Sequence, residues 1–319
     1  MSDELLKVVV QKREMHTDTV VALELADLEG NALPVFDAGA HIDLHLSDEL
    51  IRQYSLCGDP ANDKVYRLGV LKDPNSRGGS IAVHENLLEG KELVVSKPRN
   101  LFPLDEGAQH SILIGGGIGI TPMIAMAYEL THAGRSFELW YCSRSPETSG
   151  FLDELKSAPF ADKVNLHFDS EQGGKPLNLD SVLQDKQSNS HVYVCGPTGF
   201  MEWVIDTSLK KGFADEAIHR EFFTVDVEKG GHSFEVYAEQ SDITVTVKED
   251  ESVADALKAA GVKVQVSCEQ GTCGTCLCDV LEGTPEHRDV YLTDEEKDDN
   301  DQMTLCCSRS LSDRLVLDI

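Results

Sequence analysis

Over the first hundred residues, apolar and polar positions alternate with a period of two. The runs Leu5 to Val10, Val20 to Leu25, Ile42 to Leu46 and Tyr66 to Leu71 are separated at short intervals by turn residues, which predicts a small antiparallel barrel. One helix, Ile81 to Leu88, is expected after Gly78-Gly79-Ser80. From residue 111 the rhythm changes. Strand candidates Ser111 to Ile114, Phe137 to Cys142, Val164 to Phe168, His191 to Cys195 and Ala217 to Phe223 alternate with helix candidates Pro122 to Ala133, Phe151 to Ser157 and Phe200 to Lys211. Such alternation predicts a doubly wound parallel sheet with helices on both faces. Ligands of such sheets bind at the carboxyl ends of the strands.

A polar stretch, Val227 to His232, contains Gly230-Gly231 and reads as a linker. Beyond it come a hairpin (Phe234 to Ala238 and Ile243 to Val247) and a helix opened by Ser252, with Asp255 three residues on as in a capping box. A cysteine-rich loop, an acidic helix near Asp294 to Asp299 and a closing strand Leu315 to Ile319 complete the chain. The expected division is a barrel over 1–106, a nucleotide domain over 107–225, a linker over 226–232 and a third domain over 233–319. No internal repeat or low-complexity segment interrupts it.

Length and charge narrow the picture. A chain of 319 residues exceeds one average domain of about 150 residues. No stretch reaches the roughly 18 consecutive apolar residues of a membrane span, and Met1 to Gln11 lacks the basic start and apolar core of a signal peptide, so a soluble cytoplasmic protein is expected. Of the net charge of −28, residues 226–319 carry −14, against −8 on 1–106 and −6 on 107–225. That argues against nucleic acid or an anionic membrane as partner. It leaves open a basic protein surface or a saline medium.

Nine cysteines in such a chain do not suggest a disulfide framework. Cys57, Cys142, Cys195, Cys278 and Cys307 read as small buried hydrophobes. Cys268, Cys273 and Cys276 are spaced C-x4-C-x2-C and followed after 29 residues by Cys306, which is the spacing of a plant-type [2Fe–2S] site. A zinc site is the competing reading, but structural zinc usually takes its ligands as two close pairs. Gly271 and Gly274 suit a loop that wraps tightly with positive φ. Cys306 and Cys307 are adjacent, and neighbours in an extended segment point to opposite faces. We choose Cys306 as the fourth ligand.

Ile112-Leu113-Ile114 runs into Gly115-Gly116-Gly117-Ile118-Gly119-Ile120-Thr121-Pro122. Glycines let backbone amides approach a pyrophosphate, and the helix beyond presents its positive end. Thr121 is the expected N-cap, Pro122 the first helical residue and Gly134 the closing residue. Pro122 stands where the last glycine of G-x-G-x-x-G would fall, so an ordinary Rossmann dehydrogenase is disfavoured. In the barrel, Arg52-Gln53-Tyr54-Ser55 places a guanidinium and a ring on one strand face, able to serve a phosphate and a stacked ring of one ligand. Arg77-Gly78-Gly79-Ser80 ahead of a helix is a second anion site.

Taken together, Arg52-Gln53-Tyr54-Ser55, Arg77-Gly78-Gly79-Ser80, Gly115 to Pro122, Cys195-Gly196-Pro197 and the cysteine pattern resemble the phthalate dioxygenase reductase family, with relatives among vanillate demethylase and carnitine monooxygenase reductases. The resemblance covers essentially the whole chain. It implies an antiparallel flavin-binding barrel, a nucleotide domain and a C-terminal β-grasp ferredoxin, carrying FMN, NADH and a [2Fe–2S] cluster and serving a Rieske-type mono- or dioxygenase. Arg52 would hold the FMN phosphate, Tyr54 would pack on the isoalloxazine and Ser55 would lie near flavin N5. Val70, Leu71 and Lys72 would line the ring edge, and Arg77, Gly78, Gly79 and Ser80 the phosphate end. Gly116, Gly117 and Thr121 would meet the dinucleotide, with Cys195, Gly196 and Pro197 beside the nicotinamide. Glu221 and Phe223 match the closing segment, where an aromatic covers the flavin; Phe222 competes with Phe223 for that place. Ser55, Cys195 and Glu221 would position the reacting rings.

NADH is the family preference, although Ser143-Arg144-Ser145 offers groups for a 2′-phosphate. A monomer is expected. Glu269 and the run Asp294, Glu295, Glu296, Asp298, Asp299 and Asp301 predict that the cluster edge docks on a basic oxygenase surface. The alternatives are a stand-alone flavin oxidoreductase or diaphorase with another acceptor, a monooxygenase or hydratase using flavin on its own substrate, and a zinc-stabilised binding protein.

Overall fold

The computed structural model describes residues 5–47, 50–184, 189–223, 228 and 230–319. They form two compact units, divided between Phe223 and Thr224. Residues 226, 227 and 229 of the expected linker lie outside the described residues.

The first unit opens with β1 (Leu6–Met15), β2 (Val20–Asp27), β3 (Ala40–His45), β4 (Ile51–Ser55), β5 (Val65–Leu71), α1 (Gly79–Asn86), β6 (Glu92–Val95) and β7 (Arg99–Asn100). The strands run β4-β3-β6-β1-β2-β5, with β7 on β3. A bridge between Leu56 and Leu68, and a 2.8 Å bond from Cys57 N–H to the Arg67 carbonyl, join the two ends. The sheet is therefore the expected antiparallel barrel, and closure removes its open edge. β1 runs on past Val10 through polar Gln11 to Met15, because β2 pairs along that whole length beyond a register shift between Val10 and Lys12. α1 starts two residues earlier than expected, behind Gly78 at φ +93°.

The second half of this unit comprises β8 (His110–Gly116), α2 (Ile120–His132), β9 (Ser136–Ser143), α3 (Leu152–Ser157), β10 (Val164–Phe168), α4 (Leu179–Val182), β11 (Ser190–Cys195), α5 (Thr198–Lys210) and β12 (Ile218–Glu221). The five strands are parallel, in the order β10-β9-β8-β11-β12. β11 is buried at every position, as a strand covered on both faces must be. The order reverses between β8 and β11, so the crevice at their carboxyl ends is where such sheets bind ligands.

Three expectations at helix starts are corrected, the first being Pro122, which is the third residue of α2 because the helix begins at Ile120. A 3-10 turn, Gly117–Gly119, precedes α2, and the cap position is Gly119 with no side-chain bond. Thr121 instead lies inside the first turn, 1% exposed, with its hydroxyl donating to the Ile118 carbonyl at 3.0 Å. Phe151 is not the first residue of α3 but its cap, at φ +65°. The other end of α2 is as expected. Gly134 sits at φ +64° while Arg135 and Gly134 donate to the Leu130 and Thr131 carbonyls, the Schellman arrangement that ends a helix. The short helix α4, absent from the sequence pattern, is capped by the Asn178 side chain.

One hydrophobic core runs through barrel and parallel sheet together, from Val8, Leu25, Leu44 and Leu68 to Ile120, Met123, Leu139 and Phe151. The expected border at residue 106 therefore falls inside one continuously packed unit.

The second unit contains β13 (Phe234–Ala238), β14 (Ile243–Val247), α6 (Val253–Ala259), β15 (Leu277–Glu282), β16 (Pro285–Glu286), α7 (Asp294–Asp299), β17 (Gln302–Thr304), β18 (Arg309–Ser310) and β19 (Arg314–Leu317). Its sheet is ordered β14-β13-β19-β15-β17, with β13 and β19 parallel and the other pairs antiparallel. Ser252 accepts from Asp255 N–H at 3.0 Å. The full reciprocal capping box lies instead at Thr293 and Glu296, which lets α7 stand although none of its residues is buried. Arg309, 5% exposed, donates to the carbonyls of Glu251, His232 and Lys248, while Arg288 donates to those of Glu228 and Gly230. These bonds tie the described part of the linker to the unit. Among the described residues no helix is long and apolar enough to cross a membrane.

Candidate functional site

In the first unit, three strand ends converge. Ser55 closes β4, Cys195 closes β11 and Glu221 closes β12, with Cys195 and Glu221 paired in register. Ser55 Oγ donates to Glu221 Oε2 at 2.9 Å, joining barrel to sheet. Burial raises the Glu221 carboxyl to about 7, against the opposing effect of the Ser55 hydrogen bond. Burial also pushes the Cys195 thiol well up, and the neighbouring Glu221 charge adds to it. A fully buried thiol held neutral is not a nucleophile. The group is therefore suited to shape a cavity and hold a hydrogen bond.

Arg52 and the Arg77 turn are also brought together. Arg52 Nη2 donates to the Arg77 carbonyl at 3.2 Å, and a Cβ on Gly79 would lie 2.5 Å from Arg52 Cγ. Ser80 Oγ accepts from Asp73 N–H at 3.1 Å, which shapes the turn. Tyr54, two residues from Arg52 and on the same face, is half-buried. Burial pushes its phenol up. The Val70 carbonyl accepts from His84 Nε2 at 3.0 Å, and Lys72 N–H donates to the Thr19 carbonyl at 2.7 Å. Leu71 is the most exposed of that trio, at 37%.

The glycine turn packs back to back with Cys195-Gly196-Pro197. A Cβ on Gly119 would overlap the Cys195 carbonyl, and one on Gly116 or Gly196 would meet the Phe200 ring at 2.7 or 2.8 Å. Gly117 takes φ +57°, and Pro197 caps α5. Phe223 packs on the core shared with the barrel, as does Tyr54, whereas Phe222 packs on the cluster around Ile112 and Val194. The two neighbours thus face different sides.

In the second unit, the Cys268 thiol is within hydrogen-bonding reach of Cys273 and Cys306, and Cys306 within reach of Cys276 and Cys307. Cys268 Sγ also accepts from the Gln270 and Thr272 amides at 3.4 Å. Gly271 and Gly274 take φ +70° and +67°. Cys307 Sγ lies 3.2 Å from Thr304 Oγ1 and against Gly271, and is also within reach of Cys306. Among the described residues no three His, Cys, Asp or Glu side chains are placed to hold a single ion. A binuclear cluster asks for a different arrangement, two thiolates at each of two irons, with amides aimed at the sulfurs. The loop fits that group.

Sequence reasoning missed what braces this loop. Buried Asp289 accepts from Leu292 N–H at 2.8 Å and from Ser308 Oγ at 3.1 Å, Val290 N–H donates to the Gly271 carbonyl, and the Tyr291 ring covers Gly274. In the first unit it missed Gly69, whose Cβ would meet Phe151 and Thr121. A glycine inside an apolar strand was the available signal.

Fold and sites define a class: a nucleotide-dependent oxidoreductase that carries its own iron–sulfur ferredoxin. Residues 236–311 match the 2Fe-2S iron-sulfur cluster binding domain and residues 113–206 the oxidoreductase NAD-binding domain. The chain is 47% identical to the vanillate O-demethylase oxidoreductase of a Pseudomonas strain, over 99% of this chain and 100% of that protein. It is 37% identical to a solved phthalate dioxygenase reductase, with TM-score 0.79 over 99% of this chain and 98% of that one. That protein is described as a modular structure for electron transfer from pyridine nucleotides to [2Fe-2S]. An intact type IV self-sufficient cytochrome P450 monooxygenase is also 37% identical, with TM-score 0.85 over 99% of this chain but 41% of that one. The chain belongs to the phthalate dioxygenase reductase-like family of oxygenase reductases.

Proposed function

We propose that the chain takes electrons from NADH at the Ser55–Cys195–Glu221 site and passes them through FMN and a [2Fe–2S] cluster to a Rieske-type mono- or dioxygenase. The observation that carries this is the hydrogen bond from Ser55 to Glu221, which ties a barrel strand to a sheet strand beside Cys195. When bound, FMN takes a hydride and gives up electrons singly, and the cluster carries them one at a time.

The chain's own residues bind and orient. Arg52, with Arg77, Gly78, Gly79 and Ser80, holds the flavin phosphate, and Tyr54 and Phe223 pack on its ring. The backbone of Val70, Leu71 and Lys72 borders the ring edge. Gly116, Gly117 and Thr121 shape the pyrophosphate turn, and Cys195-Gly196-Pro197 borders the nicotinamide. Ser55, Cys195 and Glu221 hold the reacting rings in register, the kind of contribution a small displacement undoes. Cys268, Cys273, Cys276 and Cys306 ligate the cluster.

The domain plan is barrel 1–106, nucleotide domain 107–225, linker 226–232 and ferredoxin 233–319. The protein is monomeric and cytoplasmic. Exposed, acidic α7 docks on a basic oxygenase surface. NADH is preferred to NADPH, in spite of Arg144 after β9.

Absorption of the purified protein, followed by anaerobic NADH titration, tests the reading. Flavin and [2Fe–2S] bands that both bleach support it, and a colourless protein rejects it. Ser55→Ala should slow flavin reduction about tenfold. A clear kinetic preference for NADPH overturns the nucleotide assignment.

A further inference from the structure

Residues 150–154, in the sheet half of the first unit, plug into the outside of the barrel. Phe151 is fully buried at φ +65°, a conformation that bulky side chains rarely adopt. Holding it there costs backbone energy, which burial of the ring offsets. Packing of the ring therefore dictates the backbone.

Three barrel residues seat that ring. His16 stacks on it at 4.6 Å between centroids, and its Nδ1 accepts Phe151 N–H at 3.0 Å. The Arg67 guanidinium lies 5.1 Å from the ring centroid and pairs with Glu154. Gly69 presents bare backbone: a Cβ there would lie 2.5 Å from Phe151 Cζ and 2.7 Å from Thr121 Cγ2. Gly150 is similarly confined, its missing Cβ 2.7 Å from Val20 Cγ1.

Gly69 is thus where ring, barrel and nucleotide half meet. Val70, Leu71 and Lys72 follow it directly, and Thr121 belongs to the first turn of α2 behind the glycine turn. The Phe151 ring and the Thr121 methyl therefore both stand against Gly69, between β5 and the start of α2.

We infer that Phe151 is a positioning residue for hydride transfer, setting the separation between the flavin-lining strand β5 and the nucleotide-binding turn. The assignment deepens, and depends on, the NADH-to-FMN reading of the Ser55–Cys195–Glu221 site. Phe151 packs against His16, Arg67 and Gly69, outside the groups assigned to the reacting rings. It acts through Gly69 and Thr121, where a displacement of about 1 Å is enough to slow a reaction by two orders of magnitude.

The test is anaerobic single-turnover reduction of the FMN-loaded, full-length protein by saturating NADH. FMN content, NADH affinity and the long-wavelength charge-transfer absorbance of the nicotinamide–flavin complex are measured alongside. Phe151→Leu should reduce the hydride-transfer rate at least tenfold and remove the charge-transfer band, with FMN content and NADH affinity within twofold of the parent. Gly69→Ala, which displaces the same contact from the barrel side, should show the same split and serves if Phe151→Leu does not fold. Hydride transfer within twofold of the parent in the folded variant overturns the inference. So does a rate loss fully matched by lost FMN or weakened NADH binding. A parent whose flavin NADH does not bleach overturns the functional reading and this inference together.

Discussion

The two units use sequence distance in opposite ways, and their site glycines differ in what they combine. In the first, Ser55 meets Glu221 across 166 positions of chain. Its important glycines, Gly69, Gly79 and Gly119, have ordinary φ values and serve close approach, each with a side chain or carbonyl where a Cβ would stand. In the second, three of four proposed ligands lie within one loop, and Gly271 and Gly274 combine positive φ with close approach to Cys307 and Tyr291. The first site depends on how large elements pack. The second depends on how one short backbone segment wraps.

This contrast predicts an all-or-none response in the loop and a graded one at the packed site. Cys306→Ser should abolish the [2Fe–2S] absorption and paramagnetic signal while leaving NADH reduction of FMN intact, and Cys307→Ser should spare both. Loss of the cluster in Cys307→Ser alone reverses the ligand assignment.

Gly271→Ala forces a left-handed alanine, whose Cβ would fall 2.5 Å from Cys307 Sγ and 2.8 Å from Asp289 Cα. It should destabilise the second unit by about 3 kcal/mol, while the unfolding of the first stays put. Denaturant melts followed by cluster bleaching and by flavin fluorescence separate the two. Parallel shifts of both transitions would break the distinction between the units.

Glu221 gives a pH signature for the packed site. Burial pushes its carboxyl up from an ordinary 4.5 to about 7. The folded state therefore holds the proton more tightly than the unfolded chain, and stability falls as pH rises from 4.5 through 7. Glu221→Gln keeps an acceptor for Ser55 but has no charge to bury. Its stability relative to the parent should grow between pH 5 and pH 8, by about 2 kcal/mol at the upper end. A pH-independent difference in melting would place the Glu221 charge in water.

The smallest expected effect concerns α7. Electron transfer to the oxygenase should slow several-fold between low and physiological salt, because exposed charges are screened over about 10 Å. Flavin reduction by NADH, at a partly buried site, should change little. Equal salt sensitivity of the two steps would detach the acidity from docking.

Where the sequence misled, the reason was tertiary. Thr121 looked like a cap because it is a hydroxyl residue just before Pro122. Its hydroxyl instead turns back to Ile118 while its methyl faces Gly69. Phe151 looked like the first residue of a helix. Barrel contacts from His16 and Arg67 place it in the left-handed region instead. The adjacent Phe222 and Phe223 were indistinguishable in sequence and were separated only by the two cores on which they pack.

What the sequence determined by itself was whatever depends on neighbours along the chain. The period-2 runs, the switch to alternating strands and helices, Gly134 at the end of α2 and the spacing of Cys268, Cys273 and Cys276 are all local, so their physics is written in consecutive residues. Tertiary structure alone decided how barrel and sheet share one core, why Gly69 has no side chain, how Arg309 and Arg288 hold the start of the second unit, and how Asp289 and Tyr291 brace the cluster loop. Each of these is a contact between residues far apart in sequence, fixed by the shape of both partners at once. No pattern along a single segment records that shape.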